Sequence, residues 1–380
     1  MLLNEQHLLI QDAARRYARE RLRPFSAEWD RTCEFPRDRI TEMGELGFMG
    51  MLVPESYGGA GTDNLTCAIA IEEIAAGNGP LSTVMSVQNS IGCAPVLRFG
   101  TDEQKQRFLG PMARGEMLAA FCLTEPQAGS DAAAIATRAE RRGDKYVLNG
   151  AKQFITSGKN ADVAIVFAVT DPSAGKRGMS AFIVPTNTPG FRVIGIEKKL
   201  GQHLSDTAAI AFEDMEVPAE LRLGDEGEGL RIALSNLEGG RIGIAAQSVG
   251  MARDAFERAL AYARERKTFG KPIIEHQAVA FRLADMATRI ESARQLIYHA
   301  AAVRDAGRPA ITQASMAKLQ ASEMAERVCS DAIQIHGGNG YLADFEVERI
   351  YRDVRVCQIY EGTSDMQRLV ISRDLDRVLE

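Results

Sequence analysis

Apolar residues recur at helical spacing through the first third of the chain. In "NEQHLLIQDAARRYARERL", Leu8, Leu9, Ala13 and Tyr17 fall on one expected helical face. "DRITEMGELGFMGML" and "LTCAIAIEEIAAG" continue the pattern, with the Pro/Gly-rich turn "VPESYGG" between them. Near residue 118 the texture changes. "LAAFCLTE", "KYVLNGAKQFIT", "DVAIVFAVT", "GMSAFIVPT" and "AAIAFEDMEV" are short strand-like runs separated by Gly, Pro and Asp. After "LGDEGEG", long helical segments are predicted at about 228–265, 272–306, 310–336 and 363–379, interrupted by breakers such as "GKP" and "AGRP". Long helices with short connections predict an antiparallel bundle. The expected fold is mainly α with a central β domain. It divides into an N-terminal helical domain (1–117), a small β-barrel-like middle domain (118–222) and a C-terminal helical bundle (223–380).

Composition narrows the function. With 380 residues the chain exceeds one ordinary core, so two or three domains are expected. The apolar run Val163 to Val169 has seven residues, enough for a buried strand and far short of a membrane span. The first thirty residues carry charges of both signs and no apolar signal core, and their acidic residues argue against a mitochondrial presequence. A soluble cytoplasmic protein is the expectation. The net charge of −6, with no long basic run, argues against nucleic acid as a partner. The six cysteines are scattered without a CxxC pair and read as reduced, mostly buried thiols. The five histidines are isolated, so no metal site is expected.

Several segments admit both a plain and a chemical reading. Gly338, Gly340 and Ala343 spell GxGxxA, but a helical pattern precedes them where a dinucleotide fold needs a strand. A helix end is the simpler reading, although paired glycines also admit close approach of a ligand to the backbone. "ARERKTFGK" places Arg264, Arg266, Lys267 and Lys271 at a helix end; cations suit that position, and guanidinium groups also clamp phosphates. In "LEGGR", two glycines interrupt an otherwise periodic helix at a cost of about 1 kcal/mol each relative to alanine. A neighbouring cavity or a close helix crossing would account for them equally. "FCLTEPQAGSD" runs from a strand into a loop rich in N–H and hydroxyl donors, as an ordinary turn also would. In "IYEGTS", Glu361 is either a helix-entry residue, with Thr363 as N-cap, or a desolvated base.

Taken together, "FCLTEPQAGSD", "NGAKQFIT", "GRIGIAAQSVG", "ERKTFGKPIIEHQ", "QIHGGNGY" and "IYEGTSDMQRLVISR" resemble the acyl-CoA dehydrogenase family, in order and over essentially the whole chain. "MSVQNSIG" and "NLEGGRIGIAAQ" look most like its short-chain and short-branched-chain members. The resemblance implies non-covalent FAD and α,β-dehydrogenation of an acyl-CoA to the trans-2-enoyl-CoA. Glu361 matches the base that removes the α-proton, and flavin N5 is the implied hydride acceptor. Phe121, Leu123, Thr124 and Ser130 match the loop facing the flavin, and Ser130 also matches a contact to CoA. Phe154, Ile155 and Thr156 match the segment against the isoalloxazine. Arg266, Phe269, Gln277, Gln334, Gly337 and Gly338 match the site for the ADP moiety of FAD, which in this family a neighbouring subunit completes. Thr363 and Asp365 match further FAD contacts. Glu238, Gly239, Gly240 and Arg241 match the substrate wall, and Gly362 a substrate contact.

Two departures stand out: Phe154 replaces the usual Trp, and Asp365 the usual Glu or Gln. Some branched-chain members carry the base at the position of Gly240, so Gly240 together with Glu361 assigns the role to Glu361. The implied partners are an acyl-CoA substrate, an electron-transfer flavoprotein as electron acceptor, and further copies of the chain in a homotetramer arranged as a dimer of dimers. An oxygen-using acyl-CoA oxidase and a non-enzymatic acyl-CoA-binding scaffold are the alternatives.

Overall fold

The computed structural model describes residues 2–378. Its first section is helical. Asn4 accepts a hydrogen bond from the His7 N–H at 2.8 Å and starts α1 (Glu5–Tyr17). Then come α2 (Ser26–Thr32), α3 (Arg37–Glu45), α4 (Asn64–Gly77), α5 (Gly79–Val87), α6 (Ala94–Phe99) and α7 (Asp102–Ala113). Asp63 and Asn78 cap α4 and α5. Helix α4 is buried along nearly its whole length, as expected of a helix that is apolar all round. The face expected for α1 is displaced: Leu8 and Leu9 are exposed, while His7, Ala14 and Tyr17 turn inward.

Strands β1 (Ala119–Cys122), β2 (Arg138–Arg142), β3 (Lys145–Thr156), β4 (Val163–Val169), β5 (Met179–Pro185), β6 (Phe191–Ile196), β7 (Thr207–Pro218) and β8 (Arg222–Leu223) form one eight-stranded sheet. The order is β6-β7-β3-β2-β4-β5-β8, with β1 parallel to β4. The expected barrel-like closure is not found: β6 and β8 are the two ends of the path and do not pair with each other. A single residue pair, Arg138 with Val169, joins β2 to β4, so the sheet is weakly stitched at its middle.

The chain then enters α8 (Gly229–Glu265), 37 residues long and continuous through Gly239 and Gly240. The helix expected from residue 272 begins later. A hairpin of β9 (Lys267–Thr268) and β10 (Lys271–Pro272) and a short turn come first, because Pro272 cannot continue a helix. Helices α9 (Gln277–Asp305), α10 (Ile311–His336), α11 (Val347–Val354), α12 (Ser364–Ser372) and α13 (Leu375–Val378) complete the fold. The segment expected to run helically to 379 breaks after Ser372, and residue 379 lies outside the described residues.

Three sections in sequence make two hydrophobic cores. One gathers α1, α4 and α5 with α8, α9, α10 and α11. The other lies over the sheet and takes in Val96, Phe108, Leu109 and Met112 from the helical side. Small residues bring α8 and α4 together: a Cβ on Gly250 would fall 2.2 Å from the Glu72 carbonyl oxygen. Gly250→Val should therefore lower the thermal midpoint through a loss of about 1–3 kcal/mol. A midpoint unchanged by calorimetry would show that α4 and α8 can separate freely.

Candidate active site

The segment before α12 turns sharply. Glu361 has φ 53° and Gly362 has φ 87°, a left-handed pair. For Glu361 that conformation costs about 1–2 kcal/mol, so neighbouring groups must hold it. Lys318 on α10 donates from Nζ to the Gly362 carbonyl at 2.8 Å. Gln367 Nε2 donates to the Gly362 carbonyl at 2.8 Å and to the Glu361 carbonyl at 3.2 Å. On the other side, the Tyr360 hydroxyl donates to Gln247 Oε1 on α8 at 2.6 Å. Thr363 accepts from the Met366 N–H at 3.3 Å and caps α12.

The turn aims the Glu361 side chain at α8, where Gly240 makes room. A Cβ at Gly240 would lie 2.7 Å from Oε2 and 3.0 Å from Cδ of Glu361. Oε2 is buried and makes no hydrogen bond. Burial pushes the carboxyl up to about 7, against the pull of Arg241 and Lys318. Both cations are themselves held down by burial, Lys318 to about 8. Arg241 donates from Nη1 to Ser315 Oγ at 3.1 Å, and its Nε is buried without a partner. Two further expected wall residues, Gly239 and Glu238, lie beside Arg304. A Cβ on Gly239 would lie 2.8 Å from Arg304 Nη1, and Glu238 sits 3.8 Å from the same guanidinium.

A second cluster forms on the sheet. Phe121 packs against Phe167 with centroids 4.8 Å apart, and Leu123 is buried. The Thr124 carbonyl accepts from the Gln153 N–H at 2.9 Å, tying this loop to the end of β3. There the register with β7 slips between Lys152 and Ile155, and Phe154, at φ 58°, stays 59% exposed beside buried Ile155 and partly buried Thr156. Ser130 is exposed further along the loop.

A third cluster joins the ends of α8 and α10. Tyr262 stacks on His336 at 4.3 Å, and Asn339 Nδ2 donates to the Tyr262 hydroxyl at 3.0 Å. The hairpin bearing Arg266 and Phe269 follows α8 just beyond Tyr262, and Gly337 and Gly338 follow His336 at the end of α10. Phe269 is 97% exposed, Arg266, Gln277 and Gln334 are exposed, and no atom lies within 4 Å of a Cβ built on Gly337 or Gly338. Asp365 points to solvent and pairs with Arg368 at 3.2 Å.

Comparison with known proteins identifies the family of the chain. Residues 4–116, 120–215 and 227–375 match, in order, the models for the N-terminal, middle and C-terminal domains of acyl-CoA dehydrogenase. The chain belongs to the acyl-CoA dehydrogenase family. It is 44% identical over 375 residues to the short-chain specific acyl-CoA dehydrogenase of Clostridium acetobutylicum, covering 99% of both chains. Butyryl-CoA dehydrogenase from Megasphaera elsdenii superposes with a TM-score of 0.97 at 41% identity, over 99% of this chain and 100% of the other. A chain solved in work on the electron transferring flavoprotein of Acidaminococcus fermentans superposes at 0.98 with 48% identity, over 99% of each.

The protein is thus an oxidoreductase acting on acyl-CoA, in a family of FAD enzymes. Its own residues fit that cofactor. The exposed face of Phe154 beside Thr124 offers a platform for a flat ring, while Arg266 and the open backbone at Gly337 and Gly338 suit a diphosphate. Among the described residues no group of three or more His, Cys, Asp or Glu could hold a metal ion, and no helix is long and apolar enough to cross a membrane.

Sequence reading missed Lys318, Gln367, Tyr360 and Gln247, which hold the turn, and the buried Glu125–Lys152 pair on the sheet. A signal for Lys318 was present: it continues the stripe Ala314, Ala317, Ala321 and Ala325, all buried. Gly240→Ala should displace the Glu361 carboxylate and lower turnover by roughly tenfold or more while changing thermal stability little. Wild-type turnover in this variant would mean that the carboxylate does not work from this position.

Proposed function

We propose that this chain removes hydrogen from the α and β carbons of a short acyl-CoA, with Glu361 as the base. The observation that carries the reading is the unbonded, desolvated Glu361 carboxylate against the bare Gly240 stretch of α8. A base acting on a weakly acidic C–H needs a proton affinity near the working pH and a lone pair not already engaged. Oε2 meets both requirements. Arg241 and Lys318 offset part of the cost of ionising Glu361 without bonding Oε2. Because Lys318 and Gln367 hold the carbonyls of Glu361 and Gly362, the backbone of the turn is fixed while the carboxylate accepts its proton. By resemblance, the Glu361 N–H then bonds the thioester oxygen and stabilises the developing enolate. FAD, when bound, supplies the two-electron acceptor for the hydrogen leaving the β-carbon.

The remaining expected sites enter the proposal as recognition elements. Phe121, Leu123, Thr124, Phe154, Ile155 and Thr156 would line the flavin, and Ser130 would reach CoA. Arg266, Phe269, Gln277, Gln334, Gly337 and Gly338 would take the ADP moiety with a neighbouring copy. The near-complete exposure of Phe269 and the 87% exposure of Tyr341 support such a contact between copies, and a tetramer is the proposed assembly. The structural likeness to a chain solved in work on an electron transferring flavoprotein supports such a protein as the electron acceptor.

Glu361→Gln should keep flavin absorbance and CoA-ester binding and lose about 100-fold to 10,000-fold in turnover. In the wild type the carboxyl must be ionised to act, and burial raises its pKa to about 7. The active fraction therefore grows as pH rises through that value, and kcat/KM should climb roughly tenfold per pH unit below it before levelling. A flat profile from pH 5 to 8, or near-normal turnover in Glu361→Gln, would remove the base from this reading.

Chain length follows from how soon α8 is closed beyond Gly240. A Cβ at Gly243 would lie 2.2 Å from Ser86 Oγ, and Gln247, one turn on, is engaged by Tyr360 and by Thr83. These contacts support a pocket that is short along α8, with space for a few carbons within about one 5.4 Å turn. Each methylene accommodated contributes about 0.8 kcal/mol, so the cut-off should be steep. Measured as kcat/KM, butyryl- and 2-methylbutyryl-CoA should exceed octanoyl- and palmitoyl-CoA. A maximum at octanoyl or longer would overturn the short-chain assignment and leave the base untouched.

A further inference from the structure

On the sheet, Lys152 and Glu125 meet at 2.7 Å with side chains 0% and 2% exposed. Burying two charges is costly, and a well-packed apolar pair at the same place would commonly be as stable. The bonds around the pair suggest what it does. Lys152 Nζ also donates to the Leu123 carbonyl at 3.1 Å. The Glu125 carboxylate accepts from the Ala136 N–H at 2.6 Å, the Thr137 N–H at 3.1 Å and Gln127 Nε2 at 2.7 Å. One residue beyond Lys152, the Gln153 N–H bonds the Thr124 carbonyl, and the next residue is left-handed Phe154. A bulge of this kind re-aims a side chain, and here it aims the aromatic face outward. The ionic hub therefore lies under the two segments, Phe121–Thr124 and Phe154–Thr156, that the proposed function sets against the flavin.

We propose that Glu125 and Lys152 are positioning residues for the flavin: their buried pair locks the 121–125 loop to the bulged end of β3, so that Thr124 and Phe154 are held in register as one seat. The pair touches no reacting atom in this scheme; it acts through the two stretches of backbone it joins. This rests on the reading of those segments as the flavin site. A closely bonded buried carboxylate is suited to the task, because Glu125 is held by four donors, from Gln127, Ala136, Thr137 and Lys152, and so has little freedom to adopt a second arrangement.

The test uses the flavin-loaded protein. Lys152→Met with Glu125→Gln removes both charges at nearly constant volume and leaves no unpaired charge behind. This double variant should keep wild-type helix and sheet content yet release FAD on dilution roughly ten- to hundredfold more readily, read by flavin fluorescence. The visible circular dichroism of the flavin that remains should also change. Wild-type retention and dichroism, even with a lowered thermal midpoint, would overturn the inference and leave the pair a packing element. If the double variant does not fold, Glu125→Gln alone carries the same two readouts, since burial already disposes Lys152 to shed its proton. Wild-type protein that neither carries nor takes up FAD would overturn the flavin-site reading itself, and this inference with it.

Discussion

One approach between chain segments governs the proposed active site: a carboxylate with no hydrogen-bond partner on Oε2 pressed against a helix that lacks a side chain at that point. Neither half is stable by default. Glycine inside a helix is unfavourable, and an unbonded buried carboxyl is worse. Glu361 also adopts a backbone conformation that few residues with a side chain accept. The site persists because α8 and α10 flank the turn and engage it from both sides, through Gln247 and through Lys318. Packing in the helical core supplies the stability that the site consumes.

The same logic orders the electrostatics. Arg241 and Lys318 lie near enough to temper the proton affinity of Glu361, yet their hydrogen bonds go to Ser315 and to the Gly362 carbonyl, and neither bonds Oε2. A direct salt bridge would have lowered the carboxyl further, away from what the proposed base requires. With the cations close but not bonded to Oε2, burial still leaves the carboxyl raised. On the sheet the opposite arrangement is found: Glu125 is fully engaged and held low, at about 2, which suits a group that fixes backbone and exchanges no proton.

Much of the fold could be read from the amino-acid pattern, and the failures have physical causes. Strand β3 and helix α8 stand where the strand-like run and the helical period place them, β3 with Tyr146, Val147 and Leu148 buried and α8 buried all round from Gly240 to Ala252. Strand β2, "RAERR", was not anticipated, since only Ala139 is buried. Strand β6 escaped for a related reason: lying at an end of the sheet, it is exposed along nearly all its length. Leu8 and Leu9 misdirected the face of α1 because exposed leucines are ordinary. At the proposed active site, residues alone left Glu361 one carboxylate among 51 acidic side chains, and only family resemblance singled it out. Gly240, Lys318 and Gln247 become partners of its turn only in three dimensions, and no local period encodes that meeting. The Glu125–Lys152 pair escaped because two charges in strand-like text read as solvated until the fold buries them together.

The division into two cores has a consequence for how the molecule comes into being. Helix α4 is buried by α8 and α9, which the ribosome makes long after it, with the whole sheet synthesised in between. The first hundred residues therefore emerge with apolar faces whose permanent cover does not yet exist. The sheet, with a core of its own, can collapse as a unit while the helical half waits. Such a chain has a high mean sequence separation between contacting residues, and it exposes sticky intermediates for most of its synthesis. Protection of those faces during that interval is thus a requirement separate from the stability of the finished fold.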